Sequence, residues 1–128
     1  FLKGYIVLVF SHRGRYYLAD WKTNHLGNDF EAYHPQRLAT AMEDHFYFLQ
    51  YHLYTLAVDQ YLRSVSPDYA YEKDFGGVFY LFIRGMGSPS GAPSGIFFDR
   101  PDPELIDHLR KVILAPDILR GHTARWGP

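Results

Sequence analysis

The sequence contains no cysteine among its 128 residues. This absence excludes disulfide bonds, thiolate zinc sites and a cysteine nucleophile, and it fits a reducing compartment. Any bound metal must therefore use oxygen or imidazole ligands. The seven histidines show neither an HExxH motif nor another close zinc spacing, so we assign none of them to a metal.

Long hydrophobic runs and an excess of charge of one sign are also missing. The longest apolar runs, Tyr5 to Phe10 and Val78 to Ile83, are far shorter than the roughly 20 residues of a membrane-spanning helix, so we expect no membrane contact. Thirteen basic and 14 acidic residues give a net charge of −1. Because free-standing nucleic-acid binders are usually basic, we expect this domain alone to bind DNA weakly. DNA chemistry stays open if other domains hold the substrate.

Aromatic residues, by contrast, are abundant: 11 Tyr, 10 Phe and 2 Trp predict a bulky core. The length suffices for one domain with one core. We predict a single domain over residues 1–128, with its core from about residue 4 to 114 and a tail over 115–128. Since the sequence opens without Met and within an apolar strand pattern, we expect it to be a piece of a longer chain.

Two segments near the start predict a β-hairpin. Tyr5 to Phe10 is a continuous run of strand formers, which is typical of a central strand buried on both faces. Arg13-Gly14 supplies the turn, because glycine adopts positive φ readily, and residues 15–22 return as the second strand. With this loop Val7 lies directly opposite Asp20, their Cβ atoms about 4.5–5.5 Å apart.

The remaining pattern predicts further helices and strands around this hairpin. In chain order they are a polar loop from Thr23 to Pro35, a helix from Gln36 to about Asp44, a longer helix from about Tyr47 to Arg63, a central strand from Phe75 to Gly85, a flexible loop from Gly85 to Gly95, an edge strand over Ile96 to Phe98, and a helix from Glu104 to about Leu114 capped by Asp102. The core-facing stripe of the longer helix is expected to comprise Leu49, Leu53, Leu56, Ala57 and Val58. This order predicts an α/β sheet flanked by helices.

The end of the second strand carries an acid and a base. Side chains alternate between faces along a strand, so Asp20 and Lys22 point the same way and Trp21 points the opposite way. Buried charges must be paired, hydrogen-bonded or bound to a metal. For an isolated pair of this kind, an ion pair at a strand end is the simplest interpretation. The surrounding motifs decide whether Asp20 and Lys22 are only an ion pair or part of a functional site.

Those motifs are long. They are Gly4-Tyr5-Ile6-x-Leu8-Val9-Phe10, Tyr16-Tyr17-Leu18-x-Asp20-x-Lys22-x-Asn24-x-Leu26-Gly27, Leu49-Gln50-Tyr51-x-Leu53-Tyr54-Thr55-Leu56-Ala57 and Phe75-Gly76-Gly77-Val78-x-Tyr80-Leu81-Phe82-x-Arg84-Gly85, with Arg100-Pro101 and Leu105-Ile106 further on. Together they cover most of the chain. The sequence closely resembles the family of RecB C-terminal nuclease domains, from the beta subunit of exodeoxyribonuclease V, within the PD-(D/E)xK nuclease superfamily.

The resemblance implies a fold, an activity and partners. The fold would be a PD-(D/E)xK core, a mixed β-sheet flanked by helices, here lacking the N-terminal helix and first strand. The activity would be Mg²⁺-dependent hydrolysis of DNA phosphodiester bonds during double-strand break repair and recombination. The implied partners are DNA and RecC-like and RecD-like subunits, in the cytoplasm of a bacterium.

The resemblance also implies roles for single residues. Asp20 would bind the metal, the backbone carbonyl of Trp21 would be a further metal ligand, and Lys22 would lie beside the attacking water. Gln50 and Tyr54 would form a QxxxY motif that contributes to the site and its DNA contacts. Without the resemblance, these two would be ordinary polar residues at a core margin. Hard cations such as Mg²⁺ prefer oxygen ligands of this kind.

Two departures weaken the implied metal site. The family motif G-[FY]-I-D-L-V-F has an aspartate where this sequence has Val7, and that carboxylate is the one expected to bind metal beside Asp20. The family also uses a histidine from an upstream helix, and neither His12 nor His25 replaces it by motif. We therefore expect weak Mg²⁺ binding and an inactive fragment.

Three interpretations of Val7 follow. The chain is a nuclease domain with an impaired site, or a degenerate nuclease fold retained for protein or DNA contacts, or an active enzyme in which codon 7 was altered or misread. Reading that codon in the parent gene separates the last two.

Overall fold

The structure is a computed structural model that describes residues 7–89 and 94–113. The expected tail, the expected start of the core before residue 7 and part of the loop between Gly85 and Gly95 lie outside the described residues. Within the described ranges, no helix is long and apolar enough to cross a membrane.

The described elements form an α/β fold, as predicted. In chain order they are β1 (Val7–His12), β2 (Arg15–Lys22), α1 (Pro35–Asp44), α2 (Tyr47–Val65), the single turn α3 (Tyr71–Asp74), β3 (Phe75–Phe82), β4 (Ile96–Asp99) and α4 (Pro103–Ile113), with 3₁₀ turns over Phe30–Tyr33 and Ile83–Gly85. The predicted helices match α1, α2 and α4 to within two residues at each end. The cap of α4 is also confirmed, since the Asp102 side chain accepts a hydrogen bond from the Glu104 amide at 2.9 Å.

The four strands form one mixed sheet in the order β1-β2-β3-β4. β1 and β2 are antiparallel, β2 and β3 are parallel, and β3 and β4 are antiparallel. The central position of β3 and the edge position of β4 were predicted correctly. The prediction that the first strand is central was wrong for the described sheet: β1 is an edge strand, and Leu8 and Val9 are exposed. An apolar run shows strand propensity but does not show how many neighbours the strand has.

The hairpin register follows from its two-residue turn and is confirmed. Arg13 and Gly14 have φ values of 51° and 79°, and two positive φ angles are what a type I′ turn requires. Val7 consequently pairs with Asp20, Phe10 with Tyr17, and His12 with Arg15. The turn thus fixes which residue of β1 lies beside the acid of β2.

One face of the sheet packs against the helices and forms the core. Its strand residues include Leu18, Val78, Tyr80 and Phe82, and its helix residues include Leu38 and Met42 of α1, Tyr51 and Leu56 of α2, and Ile106 of α4. Asp20 and Lys22 lie on this same face, because they alternate with Trp21. The sheet therefore directs both charged side chains toward the helices.

The predicted core stripe of α2 was partly wrong. Leu49 is 56% exposed and Leu53 is 38% exposed, and Ala57 is exposed as well. Leu56 is buried and Val58 is half-buried, as expected. The fully buried positions are Tyr51, Thr55, Leu56, Asp59 and Leu62.

Two of those buried positions, Thr55 and Asp59, are polar. A prediction based on apolar residues alone therefore placed the buried face of α2 too far toward Leu49 and Leu53. The Thr55 hydroxyl donates to the Tyr51 carbonyl at 2.7 Å, so its burial leaves no unmet hydrogen bond. Asp59 is fully buried and accepts hydrogen bonds from Arg63 Nε at 2.9 Å, the Tyr69 hydroxyl at 2.8 Å, and Arg110. Asp59 thereby joins α2 to α4 and to the segment before α3.

Replacing Asp59 by alanine should destabilise the fold by about 3–5 kcal/mol, the range typical for removing one member of a buried ion pair. The expected loss arises because the partly buried Tyr69 hydroxyl loses its acceptor and Arg110 loses the fully buried carboxylate that joins it to α2. The exposed Asp107, which also pairs with Arg110, provides the control. Asp107→Ala should cost about 1 kcal/mol or less. Urea unfolding measures both, and equal losses would contradict the proposed importance of Asp59.

Candidate functional site

The carboxyl end of β2 places an acid and a base inside the protein. Asp20 is 2% exposed and Lys22 is 6% exposed, whereas the Trp21 side chain on the opposite face is 37% exposed. Lys22 Nζ lies 3.3 Å from Asp20 Oδ2. The two side chains thus form a buried ion pair.

Helix α2 brings Gln50 to this pair from across the core. Gln50 Oε1 accepts a hydrogen bond from Lys22 Nζ at 3.2 Å. The same oxygen accepts a second hydrogen bond from the Tyr80 hydroxyl at 2.5 Å. Asp20, Lys22 and Gln50, three residues selected from the sequence, therefore meet at one point.

Tyr54, the fourth selected residue, lies one turn beyond Gln50 on α2. It is half-buried and packs against the hydrophobic core. Burial is the main cause of the raised pKa of Tyr80, and Asp20 and then Tyr54 act on that pKa in the same direction. Tyr54 therefore adjoins the group around Gln50.

Two aromatic residues complete the surroundings of Lys22, and sequence reasoning gave neither of them a role. Lys22 Nζ lies 4.2 Å from the ring centroid of Tyr47 and 5.2 Å from that of Tyr80. Both distances are within the range of a cation–π interaction. The spacing of three residues between Tyr47 and Gln50 on one helix could have pointed to Tyr47. Tyr80 enters through the pairing of β2 with β3, in which it lies opposite Asp20.

Val7 occupies the position across from Asp20 on β1. The register pairs the two residues directly, and Val7 packs against the core cluster. A carboxylate at residue 7 would lie on the same face as Asp20 and within reach of a shared cation. In this chain that position is apolar.

The burial of Asp20 affects its ionisation. Burial raises the pKa of the Asp20 carboxyl above its ordinary value, and the nearby positive charge of Lys22 opposes that rise. Burial also raises the pKa of Tyr80, with the charge of Asp20 acting in the same direction. Tyr80 is therefore protonated near neutral pH and able to donate to Gln50.

The oxygen donors around Asp20 fall short of what Mg²⁺ requires. Asp20 Oδ2 is the one buried side-chain polar atom among the described residues without a hydrogen bond, although Lys22 Nζ lies 3.3 Å from it in the ion pair. The described ranges contain no group of three or more histidine, aspartate or glutamate side chains that could hold an ion. The Gln50 oxygen is occupied by two donors. The side chains described here therefore do not make a complete Mg²⁺ site.

Comparison with known proteins identifies relatives. No family model matches the chain. The RecBCD enzyme subunit RecB of Escherichia coli K12 is 54% identical over 105 residues, which is 82% of this chain and 9% of that protein. RecB of Haemophilus influenzae is 51% identical over 109 residues, which is 84% of this chain and 9% of that protein. RecB of Mycobacterium tuberculosis H37Rv is 40% identical over 119 residues, which is 88% of this chain and 11% of that protein.

The chain is therefore a homologue of a subunit of the RecBCD enzyme. That subunit is RecB, as the sequence motifs indicated, and the chain spans between 9% and 11% of the length of these three relatives.

Replacing Lys22 by methionine should make stability more sensitive to pH. Because the pKa of Asp20 is raised above 3.8, the folded state binds its proton more tightly than the unfolded state does. This group's contribution to stability is therefore greatest below the unfolded pKa and falls as pH rises through the folded pKa. Without Lys22 the pKa rises further, and each added unit costs about 1.4 kcal/mol above the folded pKa.

Urea unfolding of the wild type, Lys22→Met and Lys22→Met/Asp20→Asn between about pH 4 and 8 measures this dependence. The single variant should lose more stability with rising pH than the wild type, and the double variant should recover the difference. Parallel curves for the wild type and Lys22→Met would show that Lys22 does not compensate the charge of Asp20.

Proposed function

We propose that the chain is the nuclease domain of a RecBCD-type helicase–nuclease, with a PD-(D/E)xK core. In this proposal the complete enzyme hydrolyses DNA phosphodiester bonds with Mg²⁺ during double-strand break repair and recombination. The observation that carries the proposal is the meeting of Asp20, Lys22 and Gln50 at the end of β2, with residue 7 directly opposite Asp20. The homology to RecB supports it.

The residue types suit phosphodiester hydrolysis. In a complete site of this kind, a bound Mg²⁺ would supply Lewis-acid charge to a water and to the scissile phosphate. We assign Asp20 and the Trp21 carbonyl to the metal. Lys22 supplies positive charge beside the phosphate and orients the water, and Gln50 holds Lys22. Tyr54 is assigned to DNA contacts.

Val7 makes this particular chain a poor catalyst in the proposal. It leaves one carboxylate side chain where Mg²⁺ is commonly bound through one or two carboxylates together with waters and substrate phosphate. The ammonium of Lys22 also stands 3.3 Å from the remaining carboxylate. We therefore expect weak Mg²⁺ binding, and we assign no cleavage step to the Val7 form.

The proposed partners are DNA and RecC-like and RecD-like subunits in the bacterial cytoplasm. The net charge of −1 supports an arrangement in which other domains hold the DNA. Within it, this domain would supply the cutting site rather than most of the affinity.

A second candidate function is a degenerate nuclease fold retained as an interaction module for protein or DNA. The charge of Asp20 is already opposed by Lys22, and Lys22 is held by Gln50 and two aromatic rings. Such a group is electrostatically satisfied without a metal. Valine at residue 7 is what this second candidate function would lead us to expect.

Val7→Asp should convert the site into one that binds Mg²⁺. The new carboxylate faces Asp20, so without metal the two negative charges repel and the fold loses stability. With Mg²⁺ at about ten times its dissociation constant, binding should restore about 1.4 kcal/mol. Calorimetric titration and thermal unfolding with and without Mg²⁺ measure both effects.

Val9→Asp is the matched control, because it adds the same charge on the same strand and face but opposite Leu18. It should bind Mg²⁺ no better than the wild type. Absence of any gain in Val7→Asp would refute the metal site. Strong binding by the Val7 form would instead argue against degeneracy.

Cleavage of linear DNA tests the activity itself. In a longer version that includes the upstream helix, Val7→Asp should gain Mg²⁺-dependent cleavage. Adding Lys22→Ala should abolish that gain while Mg²⁺ binding persists, because Lys22 is assigned to the phosphate and the water rather than to the metal. Cleavage that is unchanged by Lys22→Ala would remove Lys22 from the proposed site.

A further inference from the structure

Tyr80 is the residue through which β3 reaches the candidate site. Its side chain is fully buried, and its backbone pairs with that of Asp20 across the parallel β2–β3 ladder. Its ring packs against the rings of Tyr47 at 5.4 Å and Tyr51 at 5.7 Å between centroids. Tyr80 is therefore packed against two rings of α2 that lie one turn apart.

The hydroxyl of Tyr80 determines how Gln50 presents its amide. Lysine has donors and no acceptor, so the end of the Gln50 amide that faces Lys22 must be the carbonyl oxygen. That oxygen has two lone pairs, and Lys22 Nζ at 3.2 Å and the Tyr80 hydroxyl at 2.5 Å occupy both. Without the second donor, the Gln50 side chain could rotate about its terminal torsion, which is intrinsically broad.

The ring of Tyr80 acts on Lys22 as well. Lys22 Nζ lies 4.2 Å from the ring centroid of Tyr47, 5.2 Å from that of Tyr80 and 3.3 Å from Asp20 Oδ2. Tyr80 thus contacts Lys22 directly through its ring and indirectly through Gln50.

We propose that Tyr80 is a positioning residue that fixes Gln50 through its hydroxyl and, through Gln50, sets the position of Lys22 Nζ. The importance of that position for catalysis rests on the proposed function, in which Lys22 acts beside the scissile phosphate. The arrangement itself belongs to this chain whether or not it cuts DNA.

Tyr51 provides a matched control for a purely structural role. It is also buried, it contacts Tyr80, and its hydroxyl donates a hydrogen bond to Asp99 Oδ2 at 2.5 Å. Tyr51→Phe and Tyr80→Phe each remove one buried hydroxyl and retain the ring. Both should lower the free energy of unfolding by similar amounts, so stability alone does not distinguish them.

The experiment is nitrogen-15 NMR of the full chain in the wild type, Tyr80→Phe and Tyr51→Phe forms. The readouts are the ammonium resonance of Lys22, assigned by its loss in Lys22→Ala, and the side-chain amide resonances of Gln50. Tyr80→Phe should shift or broaden these signals, because Gln50 loses its second donor. Tyr51→Phe should leave them at their wild-type positions. Unchanged signals in Tyr80→Phe, or equal changes in both variants, would overturn the proposal.

A kinetic experiment in the longer Val7→Asp version extends the test to catalysis. Tyr80→Phe should lower kcat for DNA cleavage by about tenfold or more with little change in KM, since misplacing a catalytic group costs rate rather than binding. Tyr51→Phe should leave both constants unchanged. If Val7→Asp cuts no DNA, the proposed function fails, and the NMR experiment alone decides the role of Tyr80.

Discussion

The compensation of one buried negative charge organises this end of the protein. Asp20 is buried at the end of β2, and an unpaired carboxylate there would be costly. Lys22 supplies the opposing charge from the same strand, and Lys22 in turn requires the acceptor on Gln50 and the aromatic rings beside it. The sheet and α2 both contribute side chains to this small group, in which the buried charges must be compensated and the hydrogen bonds satisfied.

Local patterns predicted much of this arrangement. The Arg13-Gly14 turn fixed the register that sets Val7 opposite Asp20, and strand alternation placed Asp20 and Lys22 on one face. The buried face of α2 was mispredicted because its polar members are satisfied by partners elsewhere in the fold. The contacts of Tyr80 with Gln50 and Lys22 were missed for a related reason. They depend on the parallel pairing of β2 with β3, and an intervening segment of more than 50 residues separates those strands in sequence.

The motif resemblance and the geometry lead to the same residue, because the motif expects an aspartate at residue 7 and the register sets residue 7 opposite Asp20. The relatives establish descent from a RecB segment, and the register shows that residue 7 is the nearest β1 position to Asp20. In our account, an aspartate at residue 7 would require a cation to hold two carboxylates together, whereas valine lets Lys22 compensate Asp20 alone. In this account the side chain at residue 7 decides between a metal centre and an ion pair.

The most direct test of this account is an anomalous diffraction map from crystals of Val7→Asp grown with Mn²⁺, an oxygen-preferring substitute for Mg²⁺. The account predicts a single peak between the carboxylates of residues 7 and 20, with Lys22 Nζ displaced from Asp20, and no such peak in the Val7 form. A Val7→Asp map without a peak between those residues, or with the Lys22–Asp20 ion pair intact, would contradict it.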